Sequence, residues 1–245
     1  MRTEILGVGF DNLTKEEALE RGEQLVAEHS GGFVVTPNPE IVMLCRDNAA
    51  LKAAVEEAAL VLADGVGIIH GAKILGTPMK DRNPGIDFGT ALMQRMGTRG
   101  QSVFLFGAKP GVAEKAAERI KTLCPGIVIA GTNDGYFQDD TPIIEKINAA
   151  KPDLLLVCLG APKQELWMQQ NRDKLDVGLM IGLGGSLDVF AGVVKRAPVA
   201  WQKLGLEWLY RLLCEPSRIG RMMKLPQFLL LVIGQRARGK QGNHA

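Results

Sequence analysis

The hydrophobic and polar residues of this chain follow two different periods. Upstream of Lys195, short apolar runs recur: EILGVGF, GFVVT, LVLAD, SVFLFG, GIVIAG, DLLLVCLG and GLMIGLGG. The segments between them have apolar residues at helical spacing, as in TKEEALERGEQLVAEH, where Thr14 and Glu17 have the spacing of a capping box. Most of the runs are almost uninterrupted, which is typical of strands buried on both faces of a parallel sheet. The pattern predicts an α/β fold, with a Rossmann-like, mostly parallel sheet sandwiched by helices.

Downstream of residue 195 the pattern is helical throughout. Leu204, Trp208 and Leu212 recur at helical spacing, with charged residues among them. The most apolar piece, FLLLVI, is too short to span a bilayer. An amphipathic stripe suits both a helix pair packed on the body and a helix that lies on a membrane, and the pattern leaves both open. We predict a Rossmann-like core over residues 1–195 and a basic amphipathic helical appendage over residues 196–245.

Charge is divided unevenly between these two parts. The whole chain has a formal net charge of +2 at pH 7. From Lys195 onward there are ten basic and two acidic residues, a net charge of +8, whereas the preceding residues include 19 basic and 25 acidic ones, a net charge of −6. A basic tail on an acidic body predicts attraction to a polyanion, which could be an anionic membrane surface, nucleic acid or a phosphorylated substrate.

The composition indicates the cellular compartment of the protein and whether it uses a metal ion or a cofactor. The four cysteines show no CxxC spacing, which favours free thiols in a reducing compartment. The N-terminal MRTEILGVGFDN has no signal-peptide pattern, and no window reaches the ~18 apolar residues of a membrane span. We therefore expect a cytoplasmic protein. Three dispersed histidines and the absence of DxD, GxxxxGK[ST] and GxGxxG motifs predict no metal site and no cofactor.

Polar residues and glycines follow several predicted strands at the point where each strand ends. TPNPE places Thr36 and Asn38 after one strand, LADG places Asp64 after another, and FGAKPG, GTNDGYF and CLGAPKQE end three more. In parallel α/β sheets, ligands bind outside the carboxyl ends of the strands. Glycines there let backbone amides approach a phosphate. These turns together predict an anion-binding site at that edge of the sheet.

Each of these residues also has an ordinary structural interpretation. Asn38 or Asp64 could cap a helix, worth about 1 kcal/mol of stability each, and local sequence alone favours capping for Asp64. An aspartate at a helix start would also have a depressed pKa. Arg82 in KDRNPGID could be a solvated surface charge, and Gln164 in APKQELW could face solvent in a first helical turn.

Eight ordered motifs, spanning about residues 34–221, resemble those of one family. They are TPNPE, LADGVGI, RNPGID, GTNDGYF, GAPKQE, GLGGSLDVFAG, KRAP and GLEWLYRLLCEPSRIGR. In this order they resemble the WecG/TagA/CpsF glycosyltransferases, glycosyltransferase family 26, and TPNPE is closest to the TagA type. The resemblance implies an inverting, metal-independent transferase with a Rossmann-like core and a C-terminal appendage that docks on the membrane and helps complete the active site.

The resemblance also implies roles for particular residues. Asp64 is similar to the family's general base, Thr36 and Asn38 to pocket residues, and Arg82 and Gln164 to substrate contacts. The arginines of the appendage are similar to those thought to face the donor diphosphate: Arg211, Arg218 and Arg221. A TagA-type enzyme would move N-acetylmannosamine from its UDP donor to N-acetylglucosaminyl-diphospho-undecaprenol, for wall teichoic acid or a related cell-surface glycan.

The expected partners are therefore a UDP-sugar donor, a polyprenyl-diphosphate-linked acceptor and the anionic inner face of the cell membrane, without nucleic acid. The oligomeric state and the exact donor stay open, and UDP-N-acetylmannosaminuronic acid is the alternative donor. Two other classes of protein are alternatives to a transferase. One is a sugar-nucleotide oxidoreductase or epimerase, and the other is a non-enzymatic protein that binds a membrane or a polyanion. The former needs a dinucleotide loop after its first strand, and GVGFDNL lacks the third glycine.

Overall fold

Eight strands form two sheets within residues 2–216 and 219–241, which the computed structural model describes. The larger sheet has six parallel strands in the order β4-β3-β8-β7-β5-β6. Its strands are β3 (Gly32–Val35), β4 (Leu60–Val61), β5 (Ser102–Gly107), β6 (Val128–Asn133), β7 (Leu154–Cys158) and β8 (Leu179–Gly182). The predicted Rossmann-like parallel sheet is confirmed.

The first predicted strand, EILGVGF, is wrong as a single strand. It forms an antiparallel hairpin of β1 (Arg2–Ile5) and β2 (Val8–Asp11), apart from the main sheet. The two turn residues, Leu6 and Gly7, have positive φ angles of 51° and 82°, as a tight hairpin requires. Gly7 therefore forms the hairpin turn and Gly9 lies in β2, so GVGFDNL does not form the phosphate loop that a dinucleotide would need.

Helices connect the strands and cover both faces of the sheet. In chain order they are α1 (Lys15–Glu28), α2 (Pro39–Asp47), α3 (Ala49–Glu57), α4 (Val66–Leu75), α5 (Gly85–Gly97), α6 (Val112–Leu123), α7 (Thr141–Ala150), α8 (Lys163–Asn171) and α9 (Ser186–Phe190). The predicted capping box opens α1: the Thr14 hydroxyl accepts from the Glu17 amide at 3.2 Å, and the Glu17 carboxylate accepts from the Thr14 amide at 2.7 Å.

Alternate residues of the strands supply two apolar layers, one on each face of the sheet. In β7, Leu155 and Val157 join one layer, and Leu154 and Leu156 join the other. All of β7 is buried, because helices cover both of its faces. This arrangement explains why the strands have almost uninterrupted apolar sequences rather than alternating ones.

Among the described residues after position 195 there are four further helices: α10 (Val199–Lys203), α11 (Glu207–Cys214), α12 (Ile219–Met222) and α13 (Lys224–Gln241). The last packs on α4, where the ring of Phe228 is fully buried next to Gly71. A Cβ at Gly71 would stand only 3.1 Å from that ring, so a larger residue there would force the ring to shift. No helix in the described part of the chain has the length and apolar character to cross a bilayer. The division at residue 195 stays a prediction.

Candidate active site

Three of the sequence motifs meet at one edge of the large sheet. Strands β3 and β4 are neighbours, with Val35 opposite Val61, so TPNPE and LADG leave the sheet side by side. The Asp64 amide donates to the Pro37 carbonyl at 3.3 Å. RNPGID joins them, because the Asn83 amide donates to the Ala63 carbonyl at 2.9 Å. Backbone hydrogen bonds thus hold the three motifs together around Asp64.

Capping explains one of the two candidate residues. The side chain of Asn38 accepts from the Ile41 amide at 3.0 Å and caps α2. Asp64 does not cap α4, because Gly65 occupies the cap position at a φ of 86°, a conformation that favours glycine. The Gly85 amide at the start of α5 is instead the backbone group that favours the ionised Asp64 carboxylate, and it lowers the pKa of Asp64 slightly. The capping interpretation is therefore confirmed for Asn38 and wrong for Asp64.

Asp64 lies in a cleft between the edge of the sheet and the C-terminal helices. The cleft has a volume of about 170 Å³. Its charged lining includes Glu40, Asp64 and Arg82 from the sheet side and Glu207 and Arg211 from α11. Asn38 and Trp208 add polar and aromatic surface, and the apolar part of the lining is Pro39, Val66, Pro84, Ile86 and Leu225. The cleft thus combines a partly buried carboxylate with two arginines.

Burial raises the pKa of Asp64 from 3.8 to about 6. The positive charge of Arg211 and, more weakly, that of Arg82 oppose this increase, whereas the negative charge of Glu207 adds to it. The expectation of a depressed pKa is wrong, because desolvation outweighs the arginines and the Gly85 amide. A carboxyl group with a pKa near 6 is ionised at neutral pH and accepts a proton more readily than an ordinary aspartate.

Two predicted site residues lie beneath the cleft surface rather than in its lining. Thr36 is buried under Gly85, where a Cβ would come within 2.8 Å of the threonine hydroxyl. Gln164 is only 4% exposed, so its solvent-facing interpretation is wrong. Its carbonyl oxygen accepts from the Gly184 amide at 2.8 Å, and its amide nitrogen donates to Glu165 at 2.8 Å. Gln164 therefore ties α8 to the loop after β8, and its contact with substrate stays a prediction.

Of the three arginines predicted in the appendage, the structure describes the side chain of Arg211 alone. Arg211 lies in the cleft and pairs with Glu207 at 3.3 Å. Arg218 falls outside the described residues, as does the side chain of Arg221. Their predicted contacts with a diphosphate stay predictions.

Sequence reasoning missed Glu207 and Trp208 as parts of the cleft. Glu207 stands four residues before Arg211, a helical pair spacing that could have revealed their ion pair. Their position next to Asp64 depends on how α11 folds back over the sheet, which no local pattern encodes.

Glycines keep the other strand ends open. Gly111, Gly160 and Gly184 have positive φ angles, and nothing lies within 4 Å of the position that a Cβ would take. These open turns follow β5, β7 and β8 and expose backbone that a phosphate or sugar can approach. In the described part of the chain, no group of three or more His, Cys, Asp or Glu side chains is arranged to hold a metal ion.

Comparison with known proteins identifies the family. The profile of the "Glycosyl transferase WecG/TagA/CpsF family" matches residues 3–242. A protein of Bacillus spizizenii is 39% identical over 206 residues, 84% of this chain and 80% of its own length. A protein of Staphylococcus aureus is 36% identical over 231 residues, 93% of this chain and 91% of its own length. Both are named N-acetylglucosaminyldiphosphoundecaprenol N-acetyl-beta-D-mannosaminyltransferase. The chain therefore belongs to the WecG/TagA/CpsF family of glycosyltransferases.

Proposed function

We propose that this enzyme is an inverting transferase that moves N-acetylmannosamine from UDP-N-acetylmannosamine to N-acetylglucosaminyl-diphospho-undecaprenol. The product would be the linkage unit of wall teichoic acid or a related cell-surface glycan. The names of the two relatives support this donor sugar and this acceptor. The observation that carries the proposal is the partly buried Asp64 at the carboxyl edge of the sheet, between Arg82 and Arg211 in one cleft.

Asp64 acts as the general base in this proposal. Inversion requires one in-line displacement, in which the acceptor hydroxyl attacks the anomeric carbon as the bond to UDP breaks. The Asp64 carboxylate takes the hydroxyl proton while the anomeric carbon gains oxocarbenium character. Its pKa of about 6 suits this step, because the base is ionised at neutral pH and still attracts a proton.

Arginines and backbone amides stabilise the leaving UDP. The departing phosphate gains negative charge, which guanidinium groups neutralise with strong charge-assisted hydrogen bonds. Arg82 and Arg211 already stand in the cleft, and the resemblance adds Arg218 and Arg221. The open glycine turns after β5, β7 and β8 offer further amides. We expect the reaction to need no metal ion and no cofactor.

The appendage brings the enzyme to its lipid-linked acceptor. Leu204 and Leu213 are 72% and 64% exposed, and Ile219 and Met223 of the same region are also exposed. Such apolar side chains, next to lysines and arginines, suit a helical surface that lies on anionic lipid. We therefore propose a catalytic core over residues 1–195 and a membrane-associating appendage over residues 196–245, which acts at the inner face of the cell membrane.

Kinetics of Asp64→Asn on a short-chain lipid acceptor test the base. We expect kcat to fall roughly 10²- to 10⁴-fold, because a general base typically contributes that much. The wild-type rate should decrease below about pH 6, as Asp64 becomes protonated. Asp173→Asn is the matched control, since that carboxylate is highly exposed on the surface. A near wild-type kcat for Asp64→Asn would refute the role.

A panel of UDP-sugars tests the donor. We expect the product mass to increase by one N-acetylmannosamine with lipid-linked N-acetylglucosamine as acceptor. Faster transfer from UDP-N-acetylmannosaminuronic acid would show that this sugar nucleotide is the donor, and the enzyme would still be a glycosyltransferase. Vesicle binding without UDP release from any donor would instead indicate a non-enzymatic binder.

A further inference from the structure

Arg196 connects the core to the first helices of the appendage. Its terminal nitrogens donate to both carboxylate oxygens of Asp87 in α5, one of them at 2.9 Å. Its Nε lies 3.5 Å from the Glu207 carboxylate in α11. One mostly buried guanidinium thus stands between a carboxylate of the core and a carboxylate of the appendage.

Glu207 continues this chain of charges into the active-site cleft. Its carboxylate accepts a hydrogen bond from Arg211 at 3.3 Å, and both side chains line the cleft beside Asp64. The order Asp87, Arg196, Glu207, Arg211 therefore runs from α5 to the reacting site without interruption. The proposed mechanism uses Arg211 and Asp64 but assigns no role to the first three residues.

Apolar packing alone does not explain how α11 is held. None of the residues of α11 is fully buried. The Arg196 Nε is itself buried and makes no hydrogen bond, although it faces Glu207. A desolvated guanidinium is costly unless a carboxylate stays beside it. Asp87 already pairs with the two terminal nitrogens, so Glu207 is the carboxylate that faces the remaining buried nitrogen. The conformation in which α11 stays next to Arg196 keeps that nitrogen beside a negative charge.

We propose that Arg196 is a positioning residue that fixes Glu207, and through it Arg211, over Asp64. The inference rests on the proposed role of Asp64 as general base. Arg196 does not touch the reacting atoms in this scheme. It anchors to Asp87 in the core and orients the two charged residues of α11 that share the cleft with Asp64.

Hydrogen–deuterium exchange tests the structural part without any substrate. Arg196→Ala should increase amide exchange across residues 207–214 by roughly 10- to 100-fold, the factor expected when a charged hydrogen-bonded group loses its partner. Arg95→Ala is the matched control, because Arg95 lies in α5 and, like Arg196, pairs with two carboxylates, those of Glu16 and Glu23. The control should leave exchange in residues 207–214 unchanged.

The pH dependence of kcat tests the link to Asp64. The charged groups that act on Asp64 are Arg211, Glu207 and Arg82. Glu207→Gln should move the acid limb to lower pH, because it removes a negative charge that raises the pKa of Asp64. Arg196→Ala should also shift the acid limb, because withdrawal of α11 changes the hydration of Asp64 and removes the charges of Arg211 and Glu207 from its surroundings. Arg196→Lys should recover part of the kcat that Arg196→Ala loses. Lysine keeps the positive charge but cannot make the two-nitrogen contact of the guanidinium with Asp87.

The outcomes separate this inference from the proposed function. If the wild type transfers no sugar, the proposed function fails, and if Asp64→Asn is fully active, the proposed role of Asp64 as base fails. In both cases the exchange experiment still tests the anchoring of α11. If the wild type is active and depends on Asp64, but Arg196→Ala keeps wild-type exchange, kcat and acid limb, Arg196 is not a positioning residue.

Discussion

Ionisation of the partly buried Asp64 carboxyl group lowers the stability of the fold. Its pKa is about 6 in the folded protein and 3.8 ordinarily, so the folded state binds the proton more tightly than the unfolded state. Asp64 therefore leaves stability highest below about pH 4, and its effect reduces stability as the pH rises from about 4 to 6. Above about pH 6 the full cost of burying the charge is present.

Asp64→Asn should consequently stabilise the protein at neutral pH while it abolishes most activity. We expect Tm to increase by roughly 6–12 °C above about pH 6, and the difference from wild type to shrink towards zero near pH 4. Differential scanning calorimetry at several pH values measures both. Asp173→Asn, at an exposed carboxylate, should show no such dependence. A Tm difference that is constant across this range would contradict the explanation.

The sequence predicted which residues line the cleft better than it predicted their burial and hydrogen bonds. The motifs indicated that Asn38, Asp64, Arg82 and Arg211 line one site, and the cleft contains all four. The favoured capping role of Asp64 failed, because the backbone angles of Gly65 decide which residue occupies the cap. The burial of Gln164 was likewise beyond prediction, since it depends on the loop after β8, remote in sequence.

At the scale of elements, apolar periodicity was a reliable guide to the sheet. Every strand of the large sheet overlaps a predicted apolar run, although β6 extends past GIVIAG to Asn133. The hairpin was missed, although β1 and β2 alternate between buried and more exposed residues, the period of strands covered on one face. Sequence order also conceals the strand order, because β8 inserts between β3 and β7.

The contact between α13 and α4 predicts a sharp difference between two residues of one helix. Phe228 is fully buried against α4, whereas Leu230 is 70% exposed. Phe228→Ala should lower the free energy of unfolding by about 3–5 kcal/mol, through lost burial and the remaining cavity. Leu230→Ala should change it by less than about 0.5 kcal/mol. Urea unfolding without lipid measures both, and equal effects would show that α13 is not held by this contact.

At the scale of the whole molecule, charge and exposed apolar surface occur in the same part of the chain. Residues from 195 onward have a net charge of +8 on a protein whose total is only +2. Several large apolar side chains of that part are exposed. These apolar side chains leave water when they enter the interfacial region of a bilayer, which favours binding. Lysines and arginines add electrostatic attraction to anionic lipid. The combination suits the proposed action on a lipid-anchored acceptor, since no helix in the described part of the chain could span a bilayer.

Vesicle binding should therefore depend both on the exposed apolar side chains and on the positive charge of the appendage. We expect Leu204→Asp combined with Leu213→Asp to abolish sedimentation with vesicles that contain anionic lipid, because each change removes an exposed apolar contact and adds a negative charge. Leu123→Asp is the matched control, at a leucine that is 48% exposed on α6 of the core, and it should sediment as the wild type does. Wild-type binding should weaken at high salt, since counterions screen the attraction. Unchanged sedimentation of the double variant would place the membrane-binding surface elsewhere on the molecule.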